Sequence, residues 1–180
     1  MESLDILILG VEASIAFAGF SGIIATFQFS GEKETRRGDA VGLTMILQFS
    51  LLASLISSIP LLLYCFAIKE TALWTICSVL TAIIYSGAVY VSFDKSKGIV
   101  RSQTVWTLSI ILQGVAFALI LINVMNASGI FFHREAGPVI AGILWPLSLA
   151  GFLFSRLLLR PVWRNVRIQE AAKLADAAPG

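Results

Sequence analysis

Five long stretches of this 180-residue chain are nearly free of charge, and that constrains the fold more than any motif. Ala40–Ile68, Thr71–Phe93 and Thr104–Ala127 hold no Asp, Glu, Lys or Arg, and Leu4–Ser30 holds one acid beyond its first two positions, Glu12. A fifth run, Gly137–Ser155, closes at Arg156 and Arg160. A helix needs about 20 apolar residues to cross a hydrocarbon core about 30 Å thick. Backbone polar groups in lipid need internal partners, and β-barrel strands are shorter and alternate in polarity. The runs therefore predict transmembrane α-helices over 4–30, 40–68, 71–93, 104–127 and 137–159. Composition agrees, with 57% hydrophobic and 13% charged residues, against about 45–50% and about 25% in a soluble domain. The charged surface that a soluble enzyme or a nucleic-acid binder needs is missing.

The expected fold is all-α: a polytopic five-helix bundle forming one domain over 1–160, with a cytoplasmic basic tail over 161–180. The links are Gly31–Asp39, Lys69–Glu70, Asp94–Gln103 and Ser128–Ala136, the second short enough to predict a tight antiparallel hairpin. Gly137-Pro138 suits a helix start, and Trp145-Pro146 predicts a kink because Pro146 lacks an amide donor. The leading residues are acidic and the first run is too long for a cleaved signal, so the first helix is expected to stay. Length and span count alone are similar to those of the tryptophan-rich sensory (translocator) proteins, so no residue role is carried over.

Orientation follows from the basic residues. Eleven of the thirteen Lys and Arg fall in the first loop, the third loop and the C-terminal end, which share one side of a five-span chain. Only Lys69 and Arg134 fall on the other side. The positive-inside rule then puts the N-terminus outside and the C-terminus in the cytoplasm, in a plasma or bacterial inner membrane.

The residue inventory argues against most chemistry. A single histidine, His133, gives neither a haem ligand pair nor a His-rich metal site. No lysine lies inside a span, which removes a buried Schiff base. Cys65 and Cys77 form no CxxC pair; a disulfide between them is geometrically possible, but they read as two ordinary buried thiols. No catalytic triad, phosphate loop or zinc-protease signature appears. The expectation is no enzyme, no cofactor and no metal.

Polar residues inside the spans carry the functional reading. Glu12 lies about eight residues into the first helix, roughly 12 Å deep. A mid-span carboxylate costs about 2.5–3.5 kcal/mol, so Glu12 must be protonated, paired or facing water. No Lys or Arg shares its depth. It is either a group on an ion or proton pathway or a protonated acid bonded to another helix. In the fourth run Ser109, Gln113, Ala116, Ile120 and Asn123 recur every three or four residues on one face. The second run offers Gln48 and a face of Ser50, Ser54 and Ser57 or Ser58; the third offers Ser78, Thr81 and Tyr85. Such faces line a pathway or bond helices together at about 0.6 kcal/mol per contact. Glu12, Gln48, Ser109, Gln113 and Asn123 are the pathway candidates. Ser14, Ala18 and Gly22 form a small-xxx-small stripe for close helix packing.

Arg156, Arg160, Arg164 and Arg167 form a basic amphipathic edge that anionic lipid attracts at about 1 kcal/mol per residue. Without aromatic interleaving it does not read as a nucleic-acid site. The expectation is a homo-oligomeric channel or small transport unit, because five helices enclose a wide pore more easily on a symmetry axis than within one chain. The alternative is a non-conducting membrane sensor or scaffold, whose polar faces serve packing alone.

Overall fold

The structure is a computed structural model that describes residues 2–29, 37–96 and 103–176, with side chains described for 3–26, 41–91, 107 and 110–159. Among the described residues the secondary structure is five helices: α1 (Glu2–Phe29), α2 (Arg37–Tyr64), α3 (Glu70–Ser96), α4 (Gln103–Ser128) and α5 (Gly137–Asp176). Each contains a stretch of 19 to 24 residues long and apolar enough to cross a membrane: Ser3–Thr26, Val41–Tyr64, Glu70–Val91, Ile110–Ser128 and Gly137–Leu159. The fifth coincides with the span read from the sequence. The second does not. Its apolar run continues to Ile68, but the helix stops at Tyr64. Three tight backbone bonds follow, from Cys65, Phe66 and Ala67 to the carbonyls of Leu62, Leu63 and Tyr64. Ala67 sits at φ 51°, the left-handed conformation that ends helices. Two antiparallel helices need room to turn, and the two-residue link expected at Lys69–Glu70 becomes the five residues 65–69.

The chain divides into two compact units, Met1–Glu12 with Ala53–Trp145, and Ala13–Leu52 with Pro146–Gly180. In the first, Ser78 near the start of α3 meets Asn126 near the end of α4, so these two helices run antiparallel. Its core gathers Leu7, Ile56, Leu73, Cys77, Leu119 and Ile143, all buried. Gly10 permits close helix approach: a Cβ there would lie 2.8 Å from Ser57 Oγ and 3.1 Å from Ile143 Cγ2. The second unit packs Leu43, Ile46, Ala150 and Leu157 with Phe17, Phe49 and Phe154 around them. Phe17 and Phe154 meet edge to face, 5.7 Å between centroids at 62°, a favoured aromatic geometry.

α5 is a single helix of 40 residues that continues through Pro146 and Pro161. α4 ends in a Schellman motif. Ile130 N–H donates to the Met125 carbonyl and Gly129 N–H to that of Asn126, with Gly129 at φ 74°.

Candidate functional site

A group of buried polar side chains lies in the first unit, between α3, α4 and the first turns of α5. Ser78, Thr81 and Tyr85 are spaced three and four apart, so α3 presents them on one face, and all three are buried. Asn123 and Asn126, three apart on α4, are fully buried as well. Asn126 Nδ2 donates to Ser78 Oγ at 2.8 Å and to the Glu135 carbonyl at 2.9 Å. Its Oδ1 accepts from Glu135 N–H at 3.0 Å. One amide thus bonds a neighbouring helix and holds the backbone of the α4–α5 loop.

Asn123 Nδ2 donates to the Leu119 carbonyl in its own helix at 2.9 Å and to the Pro138 carbonyl of α5 at 3.2 Å. Its Oδ1 is buried without a partner, as is Ser57 Oγ. Tyr85 Oη donates to the Gly142 carbonyl at 2.6 Å. That carbonyl lies four residues before Pro146, the position whose missing N–H would have bonded it. The tyrosine therefore supplies the donor that proline removes. Gly142 is shaped for the contact: a Cβ there would meet Thr81 Cγ2 at 3.0 Å.

This arrangement ties helices together. Its two amides and the tyrosine spend their donors on backbone carbonyls and one hydroxyl. The neighbouring groove of about 360 Å³ between α3 and α4, lined by Val79, Ile83, Ile120 and Val124 among others, is mostly apolar and offers no polar passage. Of the pathway candidates, Asn123 belongs to this network, Gln113 is half-buried, and Glu12 and Gln48 are exposed on their helices. The side chain of Ser109 lies outside the described residues. In the small-residue stripe Ser14 is buried and Ala18 half-buried, while Gly22 is exposed with open space where a Cβ would stand. Arg156 is exposed, and the side chains of Arg160, Arg164 and Arg167 lie outside the described residues.

Two features escape sequence reasoning. Asn126 continues the polar face of α4 by one more step of three, a signal present in the spacing. The pairing of Tyr85 with Gly142 is half legible, since Pro146 identifies the orphaned carbonyl but not its donor. Cys65 and Cys77 are separate thiols; Cys77 is buried as expected, but Cys65 is exposed, because α2 ends at Tyr64 and leaves it in the turn that follows. Among the described residues no three His, Cys, Asp or Glu side chains stand close enough to share a metal ion. No protein-family model, curated protein or solved structure matches this chain.

Proposed function

We propose that this chain is a multi-pass integral membrane protein working as a homo-oligomeric ion channel or small transport unit, its pathway formed between copies. The observation carrying the reading is Glu12. It lies well inside the apolar stretch Ser3–Thr26 and is exposed on the surface of α1. Left in lipid, a carboxylate at that depth costs about 2.5–3.5 kcal/mol. A second copy that brings water or a polar face to α1 removes the cost and creates an acid-lined passage. Gln48, exposed within the second apolar stretch, asks for similar cover. In this reading the membrane is the plasma or bacterial inner membrane, the N-terminus is outside, and the arginines from Arg156 onward rest on anionic lipid at the cytoplasmic face.

The second reading, a non-conducting sensor or scaffold, is favoured by the way Asn123 and Asn126 spend their donors on helix and loop contacts. Flux through vesicles reconstituted with the full chain separates the two. Glu12→Gln keeps size and hydrogen bonding but cannot ionise. On the transport reading it changes ion selectivity, proton dependence or rate with the oligomer intact. A folded oligomer that passes neither protons nor common monovalent ions is a scaffold.

A further inference from the structure

The α4–α5 loop is built with more constraint than a plain connection requires. His133 and Arg134 are consecutive residues at φ 47° and 63°, a conformation uncommon outside glycine. Arg134 folds back so that its Nε would lie 3.4 Å from a Cβ at Gly129. The next residue, Glu135, is held at both backbone polar atoms by the buried Asn126. Together with the start of α3 this loop encloses a hollow of about 260 Å³ lined by Glu70, Thr71, Trp74, His133, Arg134 and Glu135, among others. The volume falls below the roughly 300–1,000 Å³ of pockets for drug-sized ligands, so the occupant is small.

The lining decides its charge. Two carboxylates, a guanidinium and an imidazole surround one hollow, and none of these four side chains forms an ion pair or hydrogen bond with another described residue. A simple anion would meet the two carboxylates, and a simple cation would meet Arg134. A metal ion lacks a three-ligand group here among the described residues. A group carrying both signs a few ångströms apart satisfies both halves.

Depth decides its source. Glu70 is the first residue of the third apolar stretch and Gly137 the first of the fifth. On the membrane reading proposed above, on which this inference rests, the hollow sits where both spans leave the hydrocarbon, among lipid headgroups. Trp74, at the start of the second turn of α3, is buried and forms an apolar wall of the hollow. We propose that the hollow is a binding site for a phospholipid headgroup bearing a phosphate and a primary ammonium, as in phosphatidylethanolamine. Arg134 and His133 take the phosphate. Glu70 and Glu135 accept from the ammonium, which a trimethylammonium, having no N–H, cannot match.

The test is native mass spectrometry of the full chain in an equal mixture of phosphatidylethanolamine, phosphatidylcholine and phosphatidylglycerol. Phosphatidylethanolamine is expected to be retained over each of the others by about fivefold, the scale of a partly exposed charge pair. Glu70→Gln with Glu135→Gln removes the preference over phosphatidylcholine. Arg134→Asn weakens retention of phosphatidylethanolamine and phosphatidylcholine alike; asparagine suits the left-handed backbone, so the loop keeps its shape. An unchanged thermal melt by circular dichroism confirms that both variants fold. Uniform retention, or a preference that survives both variants, overturns the site. Displacement of the lipid by an equal concentration of soluble glycerophosphoethanolamine assigns the hollow to a free solute and overturns the lipid assignment. Release of the chain from membranes by alkaline carbonate overturns the membrane reading as well. A chain that stays in the bilayer without lipid preference overturns the headgroup site alone.

Discussion

Tyr85 and Pro146 are coupled through a carbonyl that neither owns. Replacing Tyr85 by Phe keeps the ring and removes only the donor, leaving the Gly142 carbonyl without its 2.6 Å bond in a buried position. An orphaned buried acceptor costs about 1–3 kcal/mol, while interhelical bonds measured in membranes average about 0.6 and reach about 1.7 kcal/mol. The expected loss is therefore about 1–2 kcal/mol. Pro146→Ala restores the N–H at 146, which reaches back four residues to that same carbonyl. In this background Tyr85→Phe should cost under about 0.5 kcal/mol, giving a coupling near 1 kcal/mol. Packing lost with the buried proline ring is common to both arms and cancels in the double-mutant cycle. The measurement is reversible unfolding in bicelles on titration with sodium dodecyl sulfate, for wild type, both single variants and the double. An equal cost of Tyr85→Phe in the two backgrounds would show that the hydroxyl does not serve the proline, and would refute the argument.

Asn126→Ala removes three bonds and Asn123→Ala two, while the latter also removes an orphaned oxygen. Both vacate a fully buried position, so Asn126→Ala should be the more destabilising by about 2 kcal/mol, with faster exchange of the Glu135 amide; the reverse order in the same unfolding assay would count against the loop-holding role. Gly10→Ala drives a Cβ into Ser57 Oγ and Ile143 and should cost about 1–3 kcal/mol. Gly22→Ala, in open space, should leave chain stability unchanged or better by up to about 1 kcal/mol; a lower oligomer fraction by light scattering would place a second copy there. A membrane-impermeant maleimide should label exposed Cys65 from the side of the α2–α3 loop and leave buried Cys77 unlabelled until the chain unfolds, and labelling of both at equal rates would contradict the packing of α3.

The helices were legible because charge exclusion over some 20 residues has one physical reading, and the apolar stretch of α5 was bounded as well by Gly137-Pro138 and by Arg156 and Arg160, although the helix itself runs on to Asp176. The end of α2 was hidden. Cys65, Phe66, Ala67 and Ile68 continue the apolar run, and the reversal is made by a left-handed alanine where glycine or proline would have marked it. For the polar residues, spacing showed which share a face but not what that face meets. Ser78, Thr81 and Tyr85 were readable as a stripe, and Asn123 as part of another. That Asn126 reaches Ser78, 48 positions away, and Glu135, nine away, depends on packing no local pattern encodes. Glu12 was conspicuous in the sequence as the acid in the interior of the first apolar run, and the structure leaves it exposed on α1.

The dependence of Asn123 and Asn126 on later parts of the chain bears on how the protein is made. During synthesis α4 leaves the ribosome before Glu135, Pro138 and α5 exist. Until they arrive, Asn123 lacks its acceptor at Pro138 and Asn126 lacks both of its backbone contacts at Glu135, leaving the Asn126–Ser78 bond as the link from these amides to α3. A nascent chain stalled after Ser128 thus lacks three of the five hydrogen bonds that these two amides make in the full chain. Such an intermediate presents polar groups that the finished chain conceals, so the packing of this face of α4 is completed only once Glu135, Pro138 and α5 have been made.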